Sequence, residues 1–408
     1  MHVNTLRRLT WGGFALALLG APLVFPQNAA LSLLAQCGSM MILALSFNML
    51  LGQAGMLSFG HAVYAGLGAF AAVHAMNRMA GASAAVLLCI PLLGGMAGAL
   101  CGALFGFVTT RRSGTALSMI SLALVELVTA GAFMFPAFFG GEGGISTDRV
   151  LGPAWFGIDF GSQLQVYYLI AGWLFVCTAA MFGLTRTPLG RIANAVRENP
   201  ERAAFIGYDP RHVRYLMFIL SAFFAGIAGA LAAINVEIAS AENLGLLRSA
   251  QILLFTFIGG IGTFFGPLIG AVVGVLFTAL LSTYTRAWQL YLGLLFMGLV
   301  LFAPGGMAGV MVSSVAVMRR LELRQWVRLA KPLFLMAGAM LLLSGASVAL
   351  IEIVYRHGSG ISDGLPTSPY PYGWMILCAA AMAAAALVLR CAGPRFRSRL
   401  AALIEERR

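Results

Sequence analysis

Residues 31–51 read LSLLAQCGSMMILALSFNMLL, a run with no charged side chain. Wound as a helix at 1.5 Å per residue it is about 31 Å long, the depth of the ~30 Å hydrocarbon core of a bilayer. Its apolar residues do not alternate with polar ones, so it does not read as one of the roughly ten-residue strands of a membrane barrel. Water is not the main solvent of this segment, and a single helix satisfies all of its backbone groups.

Similar runs recur almost end to end. They predict spans near residues 11–27, 30–51, 61–77, 84–109, 115–139, 163–184, 215–236, 249–262, 266–284, 287–304, 333–355 and 373–390. The fold expected is all-α, a polytopic transmembrane helical bundle of about twelve spans, ten in a core and two at the C-terminal end. Composition agrees: the chain is 60% hydrophobic and only 10% charged, against roughly 25% charged in a soluble domain. The third span and the pieces around Gly259 to Gly266 are short, and a re-entrant segment there changes the count. Arg7 and Arg8 ahead of Gly12 to Val24 resemble the start of a signal peptide. The next apolar run follows almost at once, so the segment reads as a retained first helix.

The net charge of +12 sits in loops beside the spans, where arginine and lysine set orientation, and it calls for no nucleic-acid partner. Arg7 and Arg8, Arg111 and Arg112, the arginines from Arg186 to Arg214, the cluster from Arg319 to Lys331 and the tail from Arg390 to Arg408 fall on one side. Glu142, Asp148, Arg149, Asp159, Glu237, Glu242, Arg356 and Asp363 fall on the other. Both termini are therefore expected in the cytoplasm, with the spans surrounded by lipid. The expected organisation is a core over 1–318 with a cytoplasmic loop at 185–214, a basic linker at 319–331, a further helix pair within 332–390 and a basic tail at 391–408. Cys37, Cys89, Cys101, Cys177 and Cys378 lie inside apolar runs and Cys391 ends one, with no Cys-x-x-Cys pair and no histidine at ligand spacing. Free thiols and no metal are expected.

Three helix starts are written into the loop from Thr185 to Arg214: Thr187-Pro188, Asn199-Pro200 and Asp209-Pro210. Each pairs an N-cap side chain with proline at the first helical position, where a missing N–H costs nothing. In the first helix Leu189, Ile192, Ala193 and Val196 form one apolar stripe, with Arg191, Asn194, Arg197 and Glu198 elsewhere. The second is one short unit, with Glu201 near its positive end, Ala203 and Ala204 offering a small surface and Gly207 able to stop it. Such a unit either lies on lipid headgroups or enters a groove on another protein.

Two segments break the apolar pattern with glycines. The first is Leu51 to Ala62, carrying Gly55, Ser58, Gly60 and His61; after it, Ala62 and Gly66, and Ala65 and Ala69, are four apart and allow close helix approach. The second runs Gly259, Gly260, Ile261, Gly262, Thr263, Phe264, Phe265, Gly266, Pro267, and opens a ladder at Gly262, Gly266, Gly270 and Gly274. Irregular backbone at membrane depth is tolerated where protein or a water-filled cavity satisfies it, so both segments are candidates for lining a pathway. Helix packing is the other reading, and the favoured one for Gly270 and Gly274. His61 either meets a solute or hydrogen-bonds backbone. Glu126, midway along its span, is expensive in lipid and either faces a cavity or is paired to lock helices together.

Three ordered motifs resemble one family. The stretch Gly190-Arg191, Ala195 to Pro200, Arg202 to Ala204 and Gly207 is similar to the cytoplasmic coupling loop of ABC importer permeases, in the form found in branched-chain amino acid permeases of the LivM type. Leu57-Ser58-Phe59-Gly60-His61 resembles that family's Gly-Ser-Phe-Gly-His signature, and Gly259 to Pro267 its Gly-Gly-x-Gly-Thr-x-x-Gly-Pro block. The resemblance covers roughly residues 30–310. Arg202 interrupts the wider motif of other ABC permeases, no Leu-Pro closes it, and the final two spans have no counterpart. The resemblance implies that the loop docks on ATP-binding subunits through Arg191, Arg197, Glu198, Glu201, Ala203, Ala204 and Gly207. Gly55, Ser58, Gly60, His61, Gly259, Gly260, Gly262, Thr263 and Gly266 of the two breaks, which carry the family's motifs, and Glu126, which lies outside them, are the candidates for the translocation pathway. The resemblance also implies a second permease subunit, a periplasmic or lipid-anchored solute-binding protein and branched-chain amino acids as solute, with urea or short amides as the alternative.

Energy must come from elsewhere if ATP is used. A P-loop needs Gly-Lys-Ser/Thr, and Lys331, the only lysine, is followed by Pro332. No cofactor is expected on this chain; ATP and Mg would belong to the partner subunits. No convincing catalytic set of Ser, His and acidic residues is present, so an enzyme is not expected. An ion-coupled secondary carrier is the rival reading, resting on Glu126 alone.

Overall fold

The computed structural model describes residues 2–155, 157–284, 288–303 and 305–312, with isolated positions at 376, 380 and 390. The expected linker at 319–331, helix pair within 332–390 and tail at 391–408 lie outside the described residues, those isolated positions aside. The chain forms two compact units, Met1–Leu281 with Phe296–Val310, and Ser282–Leu295 with Met311–Arg408. The site lies in the first.

The described residues are mostly helical. Before the loop come α1 (His2–Val24), α2 (Asn28–Asn48, continuing as a π-turn over Met49–Gln53), α3 (His61–Arg78), a 3₁₀ turn (Ala84–Leu88) leading to α4 (Ile90–Thr109), α5 (Thr115–Met134), the short α6 (Pro136–Phe139) and α7 (Gln163–Arg186). The loop itself holds α8 (Pro188–Glu198) and α9 (Pro200–Phe205), and after it come α10 (Pro210–Val236), α11 (Leu246–Gly259), α12 (Gly266–Tyr284) and α13 (Trp288–Phe302). Each apolar segment expected before residue 305 is thus helical. Among the described residues six helices are long and apolar enough to cross a membrane, and the bent pair 288–301 with 306–312, taken as one span, makes seven. The remaining expected core spans fall short in different ways. α3 is long enough but carries His61, His74, Asn77 and Arg78. α11 has 14 residues, about 21 Å, and does not reach across.

The centre of the bundle is α10, packed against α2, α3 and α4. Lipid gives helices no hydrophobic reason to associate, so close backbone approach must do it. Gly226 shows how: a Cβ there would run into the carbonyl of Gly94. Gly94, Gly98, Gly102 and Gly106 repeat that contact up one face of α4, against Phe218, Ala222 and Gly226 of α10. The opposite face of α4 exposes Met96, Leu100 and Leu104. At the N-terminal side α1 docks on α7, with Trp11 edge-on to Phe175 at 5.7 Å and to Phe182 at 5.5 Å, while the Tyr167 hydroxyl donates to the Leu18 carbonyl at 2.7 Å.

The end of α10 far from α8 and α9 is closed by a polar network. Two short strands, β1 (Ile145–Ser146) and β2 (Ile238–Ala239), pair antiparallel. Beside them Arg149 meets Glu237 at 3.4 Å and donates to Gln163 at 3.0 Å. Gln163 donates to Asn235 at 2.6 Å, and Asn235 donates to the Ser32 carbonyl at 3.3 Å. The loop after α5, the start of α7, the end of α10 and the start of α2 are tied together there.

Candidate functional site

All three helix starts in the loop form as their sequence dictates. Thr187 Oγ1 accepts from Gly190 N at 3.4 Å, Asn199 Oδ1 from Arg202 N at 2.9 Å and Asp209 Oδ1 from Arg211 N at 2.9 Å, each with proline at the helix start. Gly190, Ala193 and Val196 are buried on the inner face of α8, with Leu189 and Ile192 at its margin. Arg191, Glu198, Glu201, Ala204 and Gly207 are exposed. Ala203 is not: it is buried, so the small surface expected from Ala203 and Ala204 is offered by Ala204 alone. The outer surface belongs instead to residues the sequence reading passed over, Phe205 at 92% exposed and Ile206 at 70%. Their signal was two adjacent large apolar side chains in an otherwise charged loop.

Arg197 turns inward. Its Nη1 donates to the Gly52 carbonyl in the first glycine break, and its aliphatic stem crosses Gly55. Gly55 has φ +67°, and a Cβ there would stand 2.6 Å from Arg197 Cγ, so both backbone conformation and space require glycine. A Cβ on Gly52 would also approach the carbonyl of Ile261, in the second break, to 2.9 Å. The fold therefore brings all three sequence motifs to one place: the loop helix α8, the break after α2 and the break after α11.

From that point to His61 the first break is held by serines. Ser118 donates to the Leu57 carbonyl at 2.8 Å, and Phe59 N donates to Ser121 at 2.9 Å, both from α5. Ala62 N donates to Ser249 of α11 at 3.1 Å. Ser46 of α2 lies 2.8 Å from His61 Nε2, and Ser221 of α10 donates to the Ser46 carbonyl at 2.6 Å. The single hydroxyl proton of Ser46 goes to the Leu43 carbonyl at 2.7 Å, so His61 Nε2 is the donor to Ser46. His61 is fully buried against a side chain, rather than bonded to backbone or open to a solute path. Asn48 Oδ1, Gln53 Oε1, Ser58 Oγ and His61 Nδ1 lie in the same region without a protein partner among the described residues. They are open to water or to an alternative arrangement of the joint.

The second break is a tight hairpin between α11 and α12. Gly259 and Gly260 press on Gly266, Gly305 and Gly306, while Gly270 and Gly274 press on Phe255, the packing role favoured for that pair. Gly262 touches nothing and Thr263 Oγ1 is buried without a partner among the described residues. Glu126 stands apart from the cluster. On α5, Ser118, Ser121 and Val125 face inward, whereas Met119, Leu122, Glu126 and Leu127 are exposed. The carboxyl locks no pair of helices among the described residues.

Comparison with known proteins follows the same outline. The family model described as branched-chain amino acid transport system / permease component matches residues 29–304. The high-affinity branched-chain amino acid transport system permease protein LivM of Escherichia coli (strain K12) is 28% identical over 289 residues, covering 65% of this chain and 67% of its own. LivM of Salmonella typhimurium gives the same figures. The fructose import permease protein FrcC of Rhizobium meliloti is 25% identical over 237 residues, covering 57% of this chain and 61% of its own. No solved structure matches. With the matched region spanning every element of the joint, the chain belongs to the branched-chain amino acid transport system permease family, a multi-pass membrane component of ABC transporters.

Proposed function

We propose that this chain is a permease subunit of an ATP-driven importer of branched-chain amino acids. The observation that carries the reading is the contact of Arg197 with Gly52, because it joins the loop of α8 and α9 to an irregular segment inside the bundle. Separate ATP-binding subunits, which hold ATP and Mg, dock on α8 and α9. Phe205 and Ile206 enter their groove, with Arg191, Glu198, Glu201, Ala204 and Gly207 around them. When the ATPases close they move α8, and Arg197 transmits that motion to Gly52 and Gly55. The unpaired polar atoms at Ser58 and His61 then find other partners as the pathway changes side. Gly60 and the break from Gly259 through Gly260, Gly262 and Thr263 to Gly266 complete the pathway's wall, while Glu126, outside that wall on the exposed face of α5, faces a second permease subunit.

A periplasmic or lipid-anchored solute-binding protein delivers the solute, and the arginine-rich side faces the cytoplasm, placing both termini there. The LivM relatives support leucine, isoleucine and valine as solutes. The fructose permease relative supports a sugar instead. The test has two arms. Replacing Phe205 and Ile206 with alanine is expected to abolish co-purification of the ATP-binding subunits while the chain still inserts. Uptake of radiolabelled leucine, fructose and urea by the assembled wild-type complex names the solute, and co-purification unaffected by both substitutions overturns the docking assignment.

A further inference from the structure

A second polar feature lies about 30 Å along α10 from the loop helices, at the end closed by the β1–β2 network. A cavity of about 250 Å³ opens between α2, α3, α10 and the segment leading into α11. Its walls are mostly apolar, with alanines and glycines of α3 and α10 beside Met40 and Leu43 of α2, and its polar side chains are Gln36, Ser39, Asn235, Ser240, Asn243 and Arg248. No aspartate or glutamate lines it. Arg248 is partly buried and, among the described residues, its side-chain partner is the neutral Gln251, at 3.3 Å. Gln36, Ser240 and Asn243 make no side-chain hydrogen bond among the described residues, leaving their donors free for a ligand.

The charge has a second source. Arg248 is in the first turn of α11, whose N-cap Gly245 supplies no side-chain acceptor, so the positive dipole end of that helix lies beside it. Short helices that begin at membrane depth and aim their N-termini at a cavity are a recurrent way of holding an anionic solute group. An unpaired cation, a helix start, neutral donors and a mostly apolar wall together select a small solute with one carboxylate and a short aliphatic body.

We propose that this cavity is a solute site of the permease itself, in which Arg248, with Asn243 and Ser240, holds the carboxylate of an aliphatic amino acid during its passage. The proposal rests on the amino-acid reading given above and adds to it a site within this chain. A neutral solute such as urea or an amide can accept a hydrogen bond from Arg248 but brings it no opposite charge, so the site would hold it less tightly than a carboxylate even if a binding protein delivered it.

The test uses the full complex in proteoliposomes, carrying A232C on the cavity wall and labelled by a thiol reagent, with labelling read at that position by peptide mass. Leucine is expected to protect position 232, and leucinamide, which lacks the carboxylate, is not. In R248Q, protection is expected to require about ten- to a hundredfold more leucine, the scale of one lost charge-assisted hydrogen bond, with R248K recovering part of the loss. Assembly with the partner subunits, followed by size-exclusion, checks that R248Q is folded. If the wild type takes up leucine yet leucine and leucinamide protect alike, or R248Q behaves as wild type, the site is overturned and the importer reading stands. If the wild-type complex takes up no leucine, the amino-acid reading fails and this site fails with it.

Discussion

The two glycine-broken segments look alike in sequence and are built differently. The break from Gly52 to His61 is held by side chains: Arg197 from α8, Ser118 and Ser121 from α5, Ser249 from α11 and the Ser46–His61 pair. Among the described residues no side-chain hydrogen bond holds the break from Gly259 to Gly266, where backbone touches backbone and the rings of Phe264 and Phe265 pack on Phe182. A contact made by glycine on glycine fixes one distance between two helices and has no second arrangement. Side-chain hydrogen bonds can be exchanged for others. On the coupling proposed above, the first break is the joint that responds to the loop, and the second is the fixed post beside it.

The largest effect is expected at the post. In G270L the new side chain meets the Phe255 carbonyl and the backbone of Gly259, and overpacking of that kind costs about 3 kcal/mol or more. Loss of the monodisperse peak in detergent size-exclusion is the outcome that fits; a well-behaved G270L protein would show that α11 and α12 can separate, and the contrast between the breaks would collapse. Next comes the joint itself. R197A removes a charged donor from the Gly52 carbonyl, about 1.5–3 kcal/mol, while leaving Phe205 and Ile206 in place. Assembly with the ATP-binding subunits and their ATPase activity should survive, and uptake should fall tenfold or more because ATP turnover no longer reaches the bundle. Coupled uptake at the wild-type level in R197A would remove the joint's role.

Much of this was legible in the sequence, for reasons tied to range. Caps are local, so Thr187, Asn199 and Asp209 announced the helices that form. Span positions were legible because a long apolar run has few other uses. What sequence could not give was partnership across the chain. Arg197 and Gly52 are brought together by the fold, as are Phe59 and Ser121, and nothing in their local spacing says so. The inward serines carried a faint signal, polar residues set inside apolar spans, that has meaning only once the helix faces are known. The direction of Ala203 was misjudged because α9 is a single turn, too short for periodicity to orient. The ladder of Gly94, Gly98, Gly102 and Gly106 was fully readable by the every-fourth rule that flagged the one opened by Gly262, and it packs more of the core.

A smaller effect separates the clamps from the joint they hold. S121A leaves Phe59 N without its acceptor and S249A leaves Ala62 N without its own. Each should lower thermal stability by about 0.6–2 kcal/mol, the range for hydrogen bonds between membrane helices, as read by a thermal shift in detergent. Serine clamps that merely stabilise would leave the ratio of uptake to ATP hydrolysis unchanged. A changed ratio in S121A would extend the responding joint into α5.

The least effect is expected on the back of that same clamp. Glu126 sits one turn beyond Ser121 and Leu122, on the exposed face of α5, with no ion-pair partner among the described residues. In lipid a carboxylate there is costly, so it faces a second subunit. E126Q keeps the shape and removes the charge. If ATP drives the importer and the joint lies on the inner face, uptake in E126Q should stay within about twofold of wild type, the scale of substitutions away from packed groups, and a proton gradient should not alter it. An ion-coupled carrier gives the opposite result, loss of uptake together with loss of proton dependence. That outcome would move the working part of the molecule from the serine-held break to the outer face of α5, and would make the contact of Arg197 with Gly52 a matter of packing alone.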